Sequence, residues 1–175
     1  MTAAHLVLIG MMGTGKTTVG AAVAERLGRR FVDSDELIER RTGRTVREIF
    51  EADGEAAYRV LETEALLGAL DDADPLVIAA AGGVVLREDN REALQRPGAL
   101  VVWLQADPSV LAERVRGGDH RPLLGDDPES ALRRLWPERQ PLYAQVADVV
   151  VETGDVPTDE VIERVVRIVA EEQGG

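Results

Sequence analysis

Apolar residues in this chain gather into five short runs, at 6–9, 30–32, 76–80, 99–104 and 149–151, separated by longer stretches where apolar positions recur at helical spacing. An unbroken apolar run of this length, without alternation, is the pattern of a strand buried on both faces. The stretches between them predict helices at 17–27, 36–41, 46–52, 55–70, 89–94, 108–115, 129–140 and 159–172. Thr158 is placed to cap the last of these, ahead of an acidic first turn. Strands alternating with helices predict an α/β fold in three layers, with a five-stranded, mostly parallel sheet between helices. No repeat, linker or low-complexity stretch divides the chain, so residues 1–175 read as one domain. The polar, Gly- and Pro-punctuated stretch at 117–127 is a loop of the kind that closes over ligands, and it predicts a mobile lid.

Between the first strand and the first helix lies Gly10-Met11-Met12-Gly13-Thr14-Gly15-Lys16-Thr17, a full match to the phosphate-loop pattern G-x-x-x-x-G-K-[ST]. Lys16 is the only lysine; every other basic side chain, the two histidines aside, is arginine. A phosphate loop needs a compact ammonium on a flexible stem, which the guanidinium fork does not supply. Glycines let the backbone come close to phosphate oxygens, and the helix N-terminus adds its partial positive charge. Gly13, Thr14, Gly15, Lys16, Thr17 and Thr18 are therefore candidate nucleotide-binding residues, with the Thr17 hydroxyl placed to ligate Mg²⁺.

Composition narrows the remaining choices. The 175 residues are 45% hydrophobic, enough for one packed domain, and contain no cysteine, which removes disulfides, thiolate nucleophiles and cysteine-based zinc sites. Neither a leader-like N-terminus nor an apolar run near bilayer length is present, and a soluble cytoplasmic monomer is the expectation. A net charge of −12 argues against nucleic acid and acidic membranes as partners. An anionic substrate must meet a locally positive pocket, although the preference for arginine over lysine also fits codon composition. Asn90, the only asparagine, lacks the context of a guanine-reading motif, and the run at 76–80 leads into Ala81-Gly82-Gly83 rather than into an acid.

The metal-side carboxylate is instead sought in Asp33-Ser34-Asp35, directly after the second strand, where open α/β sheets present residues to ligands. One acid of such a pair can organise Mg²⁺ while the other accepts a hydrogen bond from an attacking hydroxyl. The spacing fits equally well a plain N-cap at Asp35 for a helix beginning at Glu36, with Asp33 a surface turn residue.

The phosphate loop, this acid pair, Asp53-Gly54-Glu55 leading to Tyr58-Arg59, Gly82-Gly83, Arg121-Pro122-Leu123-Leu124 and Arg139-Gln140-Pro141-Leu142-Tyr143 together resemble shikimate kinase, in order and spacing, from about residue 6 to 169. The resemblance implies a P-loop fold similar to nucleoside monophosphate kinases, and phosphorylation of the 3-hydroxyl of shikimate by ATP with Mg²⁺, a step toward aromatic amino acids. It assigns Asp35 to the substrate hydroxyl, Asp33 with Thr17 to Mg²⁺, Arg59 and Arg139 to the substrate carboxylate, and the backbone of Gly82 and Gly83 to the ring hydroxyls. Residues about 35–62 become the substrate-binding helical region. Arg121 in the lid would meet the transferring phosphoryl, and Arg114 would pack near adenine.

Each arginine has a plainer reading as well. Arg59 stands four residues after Glu55 and three before Glu62, spacing that also fits surface ion pairs; Glu62 is otherwise a residue that orients Arg59. Arg139 could cover Trp136 with its stem, and Arg114 could be an exposed helix residue. His5 and His120 receive no chemistry, and Trp103 is expected in the core. Where the family shows three glycines this chain has Ala81-Gly82-Gly83, harmless at negative φ and strained at positive φ. Another small-metabolite kinase, such as a gluconate kinase, and a non-catalytic ATP-binding module are the alternative functions.

Overall fold

The computed structural model describes residues 4–116 and 124–174. Arg121 and His120, with most of the expected lid, lie outside the described residues. The strands are β1 (His5–Ile9), β2 (Phe31–Asp33), β3 (Val77–Ala79), β4 (Ala99–Gln105) and β5 (Val149–Glu152). They form one parallel sheet in the order β2-β3-β1-β4-β5. The helices are α1 (Lys16–Leu27), α2 (Ser34–Thr42), α3 (Val46–Leu70), α4 (Glu88–Leu94), α5 (Pro108–Val115), α6 (Pro128–Val146) and α7 (Thr158–Gly174).

The apolar runs are continuous because both faces of the sheet are covered. Val7 and Ile9 of β1 pack with Leu66, Ala69, Trp103, Leu132 and Tyr143 on one side. Leu6 and Leu8 pack on the other with Val19, Val23, Val161 and Val165. Every residue of β1 is buried, and its neighbours β3 and β4 shield its edges; its one polar residue, His5 at the start of the strand, accepts from the Leu76 amide at 3.1 Å.

Four local outcomes differ from the expectation. The second helix begins at Ser34 rather than 36, because Asp33 is its N-cap and accepts from the amides of Asp35 and Glu36. Capping thus falls to Asp33, and Asp35 is left inside the first turn. The stretches at 46–52 and 55–70 join into α3, broken at Gly54 (φ 84°) and opened by a capping box between Thr45 and Glu48. The helix expected to stop at 140 runs on to Val146 despite Pro137 and Pro141. An internal proline removes one hydrogen bond, but burying Tyr143 and Val146 outweighs that loss. Finally, Thr158 is the first residue of α7, and the amides of Glu160 and Val161 reach the carbonyl of Pro157 instead.

Leu8→Ala, which empties a fully buried site on β1, is expected to lower the unfolding free energy by about 2–5 kcal/mol, read as a reduced urea midpoint at an unchanged m-value.

Candidate active site

At the carboxyl ends of β1, β2 and β3 the sheet opens into a cavity of about 940 Å³, whose walls carry Lys16, Thr17, Asp33, Asp35, Tyr58, Arg59, Gly82, Gly83, Arg114 and Arg139. Its floor is the loop between β1 and α1. Gly15 caps α1 in the left-handed region (φ 89°), a conformation that side chains rarely adopt. The helix has no acidic residue of its own in its first turn, so its amide groups and dipole give the loop a positive end. The Lys16 ammonium donates to the carbonyls of Gly10 (2.7 Å) and Met11 (3.0 Å), which curls its stem over the loop. Thr14, buried, ties the loop to itself by donating to the Met11 carbonyl at 2.9 Å.

Asp33 joins this loop to the neighbouring wall. One carboxylate oxygen accepts from the amides of Asp35 (3.0 Å) and Glu36 (3.2 Å), and the other accepts from the Thr17 hydroxyl at 2.7 Å. Ser34 then locks the turn to the end of β3, donating to the Ala79 carbonyl (3.2 Å) and accepting from the Ala81 amide (3.0 Å). Asp35 is held by its backbone on one side and by the Tyr58 hydroxyl, 2.5 Å from Oδ1, on the other.

The opposite wall carries two arginines. Arg59 is buried and donates through Nη1 to both oxygens of Glu62, at 3.0 and 2.9 Å, and through Nη2 to Glu55 at 3.0 Å. Glu62 has no exposure at all, so this is a buried ion pair rather than surface decoration. Burial alone would lower the Arg59 pKa; its two glutamates outweigh that and raise it. Burial pushes the Glu62 carboxyl up, to about 7, against the pull of Arg59 and Arg139. Arg139 is 1% exposed, and its Nε and Nη1 find no hydrogen-bond partner among the described residues.

Both guanidiniums rest on the Ala81-Gly82-Gly83 turn. A Cβ on Gly83 would overlap the Arg59 guanidinium, lying 2.5 Å from its Nη2, and one on Gly82 would stand 3.3 Å from Nη1 of Arg139. These glycines are needed for space rather than for backbone conformation, since neither has positive φ. Ala81 does not have positive φ either, so its methyl brings no backbone strain. Tyr143, fully buried beneath the turn, donates to the Gly82 carbonyl, and burial raises its pKa to about 12, so the hydroxyl keeps its proton.

Arg114 reaches the same cavity, but as a brace. Its guanidinium donates to the carbonyls of Gly13 (3.3 Å), Thr153 and Gly154 (2.8 Å), tying the phosphate loop to the segment after β5. The Ser34 brace, the Tyr143 contact and the Tyr58–Asp35 hydrogen bond were not legible beforehand. Only Tyr58 and Tyr143 carried a signal, by standing beside arginines at helical spacing.

The shikimate kinase family profile matches residues 12–170. A shikimate kinase of Symbiobacterium thermophilum is 53% identical over 148 residues, which is 83% of this chain and 84% of that protein. One of Burkholderia lata is 47% identical over 152 residues, 86% of this chain and 82% of its own length. Among solved structures, shikimate kinase from Acinetobacter baumannii in complex with shikimate superposes with a TM-score of 0.91 at 38% identity, covering 98% of this chain and 95% of that one. A gluconokinase from Sinorhizobium meliloti, at 23% identity and a TM-score of 0.60, shares the fold. With the phosphate loop, the acid pair and the paired arginines lining one cavity, and with likeness of this extent, the chain belongs to the shikimate kinase family.

Proposed function

We propose that this protein transfers the γ-phosphoryl group of ATP to the 3-hydroxyl of shikimate, giving shikimate 3-phosphate and ADP, as a cytoplasmic monomer. The observation that carries the reading is Arg139. A guanidinium that is 1% exposed, with two nitrogens unpartnered among the described residues, costs several kcal/mol of desolvation unless an anion meets it. It lines the cavity that holds the phosphate loop, and it stands with Arg59 against Gly82-Gly83. A small acceptor with a carboxylate at one end and hydroxyls beside it suits this pairing, because guanidiniums bind carboxylates in a directed, bidentate way.

Asp35 is assigned to the acceptor hydroxyl, which it orients or relieves of its proton. Lys16 and the first-turn amides of α1 balance the charge of the β- and γ-phosphates, with Gly13, Thr14, Gly15 and Thr18 shaping the cradle. Thr17 and Asp33, whose oxygens are 2.7 Å apart, form a hard oxygen donor set that fits Mg²⁺, an ion that takes one or two protein oxygens and the rest from phosphates and water. When bound, Mg²⁺ would supply positive charge that neutralises the phosphates. Arg121 and the lid at 117–127 would complete the enclosure by excluding water, and Arg114 would steady the adenine side of the loop.

With Mg·ATP, ADP formation is expected to depend on shikimate and to be absent with gluconate, nucleoside monophosphates or no acceptor; turnover with gluconate instead would overturn the reading. Arg139→Lys, which keeps the charge and loses the fork, is expected to raise the shikimate KM at least about tenfold with little change in the KM for ATP.

The raised Glu62 pKa has a stability consequence. Between the ordinary value of 4.5 and about 7 the folded protein keeps this proton while the unfolded chain releases it. The native state then binds more protons, so stability contributed at this group falls as pH rises through that window. Thermal melts across that range should show a smaller fall for Glu62→Gln than for the unaltered protein, and parallel curves would refute the assignment.

A further inference from the structure

Tyr58 has no part in the reaction as described above, yet it touches the group assigned to the acceptor. It stands on α3 in the cavity wall, 4% exposed, between the ring of Phe50, 4.7 Å away by centroids, and the guanidinium of Arg59, 5.2 Å from its own ring centre. The ring packs against both groups, and its hydroxyl lies 2.5 Å from Oδ1 of Asp35. Burial first, and then the charges of Asp35 and Glu62, push the Tyr58 pKa up, so the hydroxyl keeps the proton that it donates to Asp35. The Asp35 backbone is set by the Asp33 cap, but its side chain keeps two rotatable bonds. A short hydrogen bond from a packed ring restricts that freedom.

We propose that Tyr58 is a positioning residue for phosphoryl transfer: its hydroxyl sets the orientation of the Asp35 carboxylate toward the acceptor hydroxyl. This rests on the assignment of Asp35 to the acceptor. The charged groups that share the cavity with Asp35 are Lys16 of α1, Asp33 of β2, Glu36 and Glu39 of α2, Arg47 and Arg59 of α3, Arg114 of α5 and Arg139 of α6, with Glu62 interacting electrostatically from beneath. Tyr58→Phe leaves all of them in place and removes one oxygen atom. The packing on Phe50 and Arg59 is kept, which makes the substitution a test of the hydroxyl alone.

The experiment is steady-state kinetics with Mg·ATP and shikimate on the unaltered protein, Tyr58→Phe, Asp35→Asn and the double variant, with ATP affinity and near-UV circular dichroism as controls. Tyr58→Phe is expected to lower kcat about tenfold and to change the shikimate KM less. In the Asp35→Asn background the same change is expected to have no further effect. Replacement of Tyr58 by 3-fluorotyrosine, which keeps the donor hydroxyl, is expected to retain kcat, and this arm stands even if Tyr58→Phe is poorly folded. Unaltered kcat in Tyr58→Phe, with Asp35→Asn impaired, would overturn the proposal and leave the Asp35 assignment standing. An equal fall in both backgrounds would also overturn it, since the hydroxyl would then act elsewhere. Full activity in Asp35→Asn would remove the assignment itself and the proposal with it.

Discussion

Asp33 is the joint on which the two halves of the cavity depend. Its carboxylate accepts from the Thr17 hydroxyl at the start of α1 and from two amides at the start of α2, so one side chain fixes both helices relative to the end of β2. A carboxylate at a helix N-terminus is stabilised by unpaired amides and by the helix dipole, and here that stabilisation also sets the spacing between the phosphate loop and Asp35. The next residue, Ser34, ties the same turn to β3, which leads into the glycine turn under the two arginines. Three consecutive residues thus connect the phosphate loop to the wall that carries the two arginines.

The arginine wall rests on a different balance. Arg59 and Arg139 are both buried in a protein of net charge −12, and the fold handles them unequally. Glu62 and Glu55 neutralise Arg59, while Arg139 keeps two nitrogens without a partner among the described residues. A buried pair is costly to assemble and contributes little net stability, so its value lies in geometry. Here Glu62 holds the Arg59 guanidinium in the space that a Cβ on Gly83 would take.

Much of the architecture was legible because strands buried on both faces leave an unmistakable apolar run. All five strands lie within a few residues of their expected places, and the phosphate loop was readable because its glycines and lysine meet local requirements. Where tertiary packing competes with local propensity, the reading failed. Pro141 is a local stop signal, but Tyr143 and Val146 carry α6 beyond it by burying against the core. The acid pair was ambiguous for a similar reason: spacing cannot tell which aspartate turns back to cap the helix, and the Thr17 contact that decides it comes from sixteen residues away.

By itself the sequence determined the order of strands and helices, the phosphate cradle and the set of chemical groups available, because periodicity, glycine placement and side-chain type act over a few residues. The tertiary structure decided which of those groups share a cavity and what state each is in. Arg59 became a buried, paired base for the glycine turn instead of a surface ion pair, and Tyr58 came within 2.5 Å of Asp35. Both outcomes depend on desolvation and on contacts between distant segments, quantities that exist only once the sheet and its helices have closed around them.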